Sequence, residues 1–229
     1  MSAFESYAIS ALTGVVSGLL LSIPVGPINL TIMNEGARRG YGWAALIGLG
    51  ATVMEVIYCT VAFTGFASVF GNPILKAAME LFSFAFMLIL GIKFLLAKNV
   101  VAPLDLGDAV DRMELQIERK LHPHSAFWTG FVRTMANPGV LLFWIVLAAS
   151  FLSRGWVDDT WASKLVCIGG VTVGVGSWFF GLAWLVSRGQ GKFSERTLLR
   201  MERGSGIGLL VLALAHGIVM ISHLARHAS

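Results

Sequence analysis

One acidic residue stands where a charge is least expected. Glu55 lies twelve residues into the apolar stretch Trp43–Phe70, roughly 18 Å from its start at the helical rise of about 1.5 Å per residue. An ionised carboxylate amid hydrocarbon costs several kcal/mol, so it must be paired, hydrated or protonated. A carboxyl that moves between such states can take up and release a proton. Thr52 and Tyr58, one turn away on a helix, offer hydroxyls beside it, and Ala51 and Cys59 leave room. Arg133 lies seven residues into another apolar stretch, one turn before Asn137. It can pair with Glu55, bind a substrate carboxylate, or snorkel to the surface. Glu55 itself reads either as a coupling or binding group or as a structural acid locked to Arg133 or a hydroxyl.

Two further constellations break the backbone of apolar stretches. The first contains Pro24-Val25-Gly26-Pro27-Ile28-Asn29-Leu30, the second Ala136-Asn137-Pro138-Gly139-Val140-Leu141. Proline lacks an amide donor and displaces the carbonyl one turn earlier. Lipid cannot satisfy the freed groups, so such breaks face protein or a wet cavity. Asn29 and Asn137 flank them with amides that both donate and accept. A single break of this kind is often only a structural kink. Two at matching places are a pointer to a transporter's binding site.

The elements that must position these groups follow from composition. Of 229 residues, 56% are hydrophobic and 13% charged, about half the charged share of a soluble domain. The apolar residues fall into runs near the ~20 that cross a bilayer. Six transmembrane helices are expected, at Ala8–Met33, Trp43–Phe70, Ile74–Ala97, Ala126–Leu152, Trp161–Val186 and Ser205–Leu224. They form one transmembrane domain over residues 1–229, an all-α polytopic membrane protein. No ~10-residue alternating segments suggest a strand barrel. Glu35–Gly40, Lys98–Ser125 and Ser187–Gly204 are polar loops, and Val110–Leu121 within the longest suits a short interfacial helix.

Twelve of the seventeen Lys and Arg lie on the side of those three loops, four on the other, and Arg133 lies within a span. The positive-inside bias puts the loops in the cytoplasm of a bacterial inner membrane, with both termini outside. A net charge of +4 therefore reflects topology rather than nucleic-acid binding, for which no basic stripe with interleaved aromatics is present.

Spans 2 and 5 share a pattern. Gly50-x-Thr52-Val53-x4-Tyr58 matches Gly170-x-Thr172-Val173-x4-Trp178. With the breaks in spans 1 and 4, this suggests a 3+3 repeat. Three spans is an odd number, so the halves have inverted topology and both breaks converge near the bilayer centre. Gly14-x3-Gly18, Gly170-x3-Gly174 and Gly204-x3-Gly208 suit close helix crossings, within the chain first and in a homodimer second. Glu80 beside Lys76 reads as a local ion pair before a gate residue, and His216 as a packed group before a proton carrier.

Other functions fit less well. A divalent metal-ion exporter needs grouped His, Asp, Glu or Cys. His122 and His124 lie in a loop. A thiol redox carrier needs cysteines at the broken helices, whereas Cys59 and Cys167 lie on spans 2 and 5. No His-Glu-x-x-His or Gly-x-Ser-x-Gly suggests an enzyme. No cofactor or metal is expected.

Taken together, the motifs resemble the LysE/RhtB family of bacterial amino-acid exporters over nearly the whole length. Ile23–Leu30 followed by Gly36-Ala37-Arg38-Arg39-Gly40 is similar to that family's Pro-Gly-Pro segment and basic loop. Ala45-x2-Gly48-x-Gly50-x4-Glu55-x2-Tyr58 resembles its glycine run ending in a membrane acid and Tyr. Asn137-Pro138-Gly139 lies where the family has Asn-Pro-Lys. The resemblance implies proton-motive-force-linked export of amino acids or similar metabolites. The expected partners are the cargo, protons and the bilayer. The expected site is Pro24, Gly26, Pro27, Asn29, Thr52, Glu55, Tyr58, Arg133, Asn137 and Pro138. Three departures are visible: an extra residue between the first two prolines, Glu55 where Asp is usual, and Gly139 in place of Lys.

Overall fold

The computed structural model describes residues 3–24, 26–65, 84–89, 91–93, 125–190 and 206–211, with a few single residues and pairs besides. Six α-helices of ten or more residues are defined among them. These are α1 (Ala3–Ser22), α2 (Pro27–Arg39), α3 (Tyr41–Gly65), α4 (Ala126–Met135), α5 (Pro138–Ser153) and α6 (Trp161–Leu185), the last running into a π-helical turn, Val186–Gln190. No strand occurs among the described residues. Most of the long central loop, the pair Lys76 and Glu80, His216 and the ends of spans 3 and 6 lie outside them.

Helix starts are chemically marked. Ser125 and Thr160 cap α4 and α6 by accepting from backbone amides three residues on. Asn137 caps α5, with Pro138 at its first position, where a missing amide costs nothing. Gly40 ends α2 at a φ of 83°, a left-handed turn that glycine adopts without strain.

Three helices are long and apolar enough to cross a membrane: α1, α3 and the stretch Trp161–Arg188. The α4–α5 pair, bent by 66°, makes a fourth span if counted as one. The chain is thus a multi-pass helical membrane protein. Two expectations shift in detail. The first span begins at Ala3, not Ala8, and the polar run Glu35–Arg39 is helix rather than loop. Glu35 pairs with Arg39 at 2.9 Å and with Arg38 at 3.5 Å, the spacings that support a helix surface.

Two crossings bring backbones together. On α1 and α6 a Cβ added at Gly14 or Gly170 would meet the carbonyl of Cys167 or Ala11, and one at Gly174 that of Val15. On α3 and α4 a Cβ at Gly50 would meet the Phe127 carbonyl, and one at Gly130 that of Ile47. The first two glycine motifs of the sequence therefore pack inside the chain. Span 5 lies on span 1 as span 2 lies on span 4. Between the crossings sits a core with Trp144, Phe63, Phe151 and Phe179 fully buried.

Candidate functional site

The break between α1 and α2 strands backbone carbonyls, and one side chain takes them up. Asn29 Nδ2 donates to the Ser22 carbonyl at 2.8 Å and to the Pro24 carbonyl at 2.6 Å. Its Oδ1 accepts from Trp178 Nε1 on α6 at 3.0 Å. Asn29 is buried, and every polar atom of its amide is engaged on at least one side.

The second break is repaired in a related way. The Gly139 amide bonds Asn137 Oδ1 at 3.0 Å, so it does not reach the Met135 carbonyl that a continuous helix would give it. The Tyr58 hydroxyl of α3 donates to that carbonyl instead, at 2.6 Å. Tyr58 and Trp178, matched in the sequence pattern of spans 2 and 5, each tie a neighbouring helix to the break of the other half. Thr52 and Thr172, matched likewise, each bond the carbonyl four residues earlier, Gly48 at 2.8 Å and Ile168 at 2.9 Å.

Between the breaks lies a cavity of about 60 Å³, room for a few water molecules. Pro24, Gly26, Pro27 and Asn29 line it from the first break, Thr134 and Asn137 from the second, with Glu55 and Arg133 between. Seven of the ten expected site residues therefore meet in one place. Thr52 turns its hydroxyl back to its own helix, Tyr58 braces the second break, and Pro138 starts α5.

Glu55 is 6% exposed, and its Oε2 accepts from Trp144 Nε1 on α5. Neither Arg133 nor a hydroxyl, the partners weighed from sequence, takes that place. The indole is a neutral donor, and among the described residues no ion pair to the buried carboxyl is found. Arg133 donates from Nη1 to Thr31 Oγ1 on α2, and Thr31 donates to the Pro27 carbonyl at 2.7 Å.

Thr134, Trp144 and Thr31 are absent from the sequence-derived set. Thr134 is 4% exposed, lines the cavity, and its hydroxyl has no hydrogen-bond partner among the described residues. Its signal was available: Thr134 stands three residues before Asn137, the spacing that shares a face in a helix. Trp144 and Thr31 reach their partners across 89 and 102 residues, which local spacing cannot show. Among the described residues no three of His, Cys, Asp and Glu gather as metal ligands would.

The architecture defines a class: a multi-pass helical membrane protein whose broken helices enclose a buried carboxyl and a polar cavity. The LysE type translocator family matches residues 19–219, and the chain belongs to that family. It is 28% identical over 224 residues to YcgF of Bacillus subtilis (strain 168), a protein named for amino acid efflux, covering 98% of this chain and 99% of that one. It is also 28% identical over 180 residues to the arginine exporter protein ArgO of Pectobacterium atrosepticum, covering 77% of this chain and 80% of that one. No solved structure matches the chain.

Proposed function

We propose that the chain exports amino acids or related small metabolites across the bacterial inner membrane, driven by the proton motive force. One observation carries the reading. Both helix breaks and the buried Glu55 border a single cavity. Export needs a site that opens alternately to the two sides, and broken helices at matched positions supply its movable walls. Six spans in a 3+3 inverted repeat, folded as one domain with both termini outside, complete the architecture. The paired crossings of spans 1 with 5 and 4 with 2, and the braces from Trp178 and Tyr58, support that repeat.

Each group has a role in this reading. Glu55 carries the proton, its charge changing as the cavity is wetted or dried. Arg133 holds the cargo's carboxylate. Thr134 and Asn137 hydrogen-bond the cargo, and Asn29 and Tyr58 keep the breaks in shape. The names of the two relatives support amino acids as the cargo class. Inside-out vesicles carrying the protein test the reading. Labelled amino acids should accumulate within them when the lumen is acid, and an uncoupler should abolish the accumulation. Accumulation no greater than in vesicles without the protein, for every amino acid tried, would contradict it.

A further inference from the structure

Arg133 borders two spaces. One is the central cavity. The other is a cleft of about 680 Å³ between α2 and the start of α4, bordered also by Thr31, Asn34, Glu35, Arg38, Arg39 and Ser125. The cleft falls in the size range of small-molecule sites, which the cavity does not reach. Among the described residues that border it, three arginines stand against one glutamate, a net positive lining, and concave charged surfaces concentrate counter-ions. Between the two spaces stands the hydrogen bond from Arg133 to Thr31. Thr31 is buried and in turn bonded to Pro27 of the first break.

Among the described residues, contacts at the far end are close. The loop after α5 leans on the start of α1, where Ser6 bonds Asp158 and Ser10 bonds the Trp156 carbonyl at 3.3 Å. Val157 of that loop is fully buried. Among the described residues, the cleft thus lies on the side of Arg38 and Arg39, and the contacts of the α5–α6 loop with α1 lie on the other.

We propose that this cleft is a loading site for a carboxylate-bearing cargo, and that the Arg133–Thr31 hydrogen bond is its inner gate. An arriving carboxylate is a stronger acceptor for a guanidinium than a hydroxyl is, and binds it through two parallel bonds. It draws Arg133 off Thr31. Thr31 then no longer ties α2 to α4, and the path to the cavity opens along the first break. The proposal rests on the export reading for the nature of the cargo, while the gate stands on geometry alone.

Thiol labelling separates the two. In the full chain with Cys59→Ala and Cys167→Ala, a reporter is placed in the cleft (Asn34→Cys) or in the cavity (Val140→Cys). Small methanethiosulfonates of either charge are the probes, with rates normalised to a free thiol. The cleft reporter should react fast and favour the anionic reagent. Arg38→Gln with Arg39→Gln should lower that preference several-fold. The cavity reporter should react slowly. Thr31→Val, which keeps shape but removes the acceptor, should speed it at least ten-fold, and Thr31→Ser should not. A mixture of L-amino acids, but not of their methyl esters, should slow labelling in the cleft. An unchanged cavity rate in a Thr31→Val protein that elutes as wild type does would overturn the gate. Should that variant not fold, Arg133→Gln must speed the cavity reporter likewise, and an unchanged rate there overturns the gate equally. Equal protection by acids and esters would overturn the carboxylate site. No assay here uses a proton gradient, so failure of proton-driven export would leave these results standing.

Discussion

At the scale of single residues, the site is a set of substitutions for missing backbone bonds. Tyr58 supplies a donor that Gly139 withholds, and Asn29 serves two carbonyls that lost theirs. Tyr58→Phe leaves the Met135 carbonyl buried without that donor, which costs about 1–3 kcal/mol. Thermal unfolding in detergent should show the loss as a lower midpoint. Thr134→Val is the opposite case. Among the described residues the hydroxyl has no bond to give up, so stability should hold or rise. If it bonds the cargo's charged groups, about 1.5–3 kcal/mol of binding goes with it, a KM rise of roughly ten-fold or more. A stable Thr134→Val protein with unaltered transport kinetics would remove Thr134 from the site. Glu55 and the two breaks were legible in the sequence because each is a residue type out of place in its apolar surroundings. Trp144 was not, since an indole in a membrane helix looks like any other apolar side chain until its N–H meets Glu55.

At the scale of elements, the helices meet where glycine allows it. Gly169 and Gly170 are adjacent on α6, yet a Cβ would meet nothing at the first and the Ala11 backbone at the second. Gly169→Ala should therefore be neutral or slightly stabilising, since alanine is the better helix former. Gly170→Ala must push α1 away, and overpacking of this kind costs about 1–3 kcal/mol. Melting curves of the two variants side by side would decide it; equal midpoints would mean the crossing is looser than described. The small-residue motifs were visible in the sequence, but their partner was not, because spacing says which face is smooth and not what lies on it. Helix ends were legible where a cap marked them, as at Thr160. The continuation of α2 to Arg39 was missed because charge alone suggested a loop, whereas the Glu35 pairs hold it helical. The bend at Asn137 followed from Pro138; its 66° did not, since the angle depends on what packs around it.

At the scale of the molecule, orientation bears on mechanism. The start of α4, the arginines of α2 and the end of α6 share one end, since Ser125 and Arg38 line one cleft and Gly36 faces Val186. That end should be cytoplasmic. Cysteines at Ser2 and Ser229 should react with an impermeant reagent outside intact cells, and one at Ser125 only after the membrane is opened. Labelling of Ser125→Cys alone in intact cells would reverse the orientation, and loading from the cytoplasm with it. The central claim is that Glu55 couples cargo movement to protons. Glu55→Gln keeps the shape and an acceptor for Trp144 but cannot titrate. Uptake of a labelled cargo by inside-out vesicles, followed with and without a proton gradient, tests the claim most directly. The expected result is gradient-driven accumulation lost in Glu55→Gln and partly kept in Glu55→Asp, with exchange of cargo across the membrane preserved and protein abundance near wild type. Gradient-driven accumulation by Glu55→Gln at the wild-type rate, with the same response to pH, would contradict it.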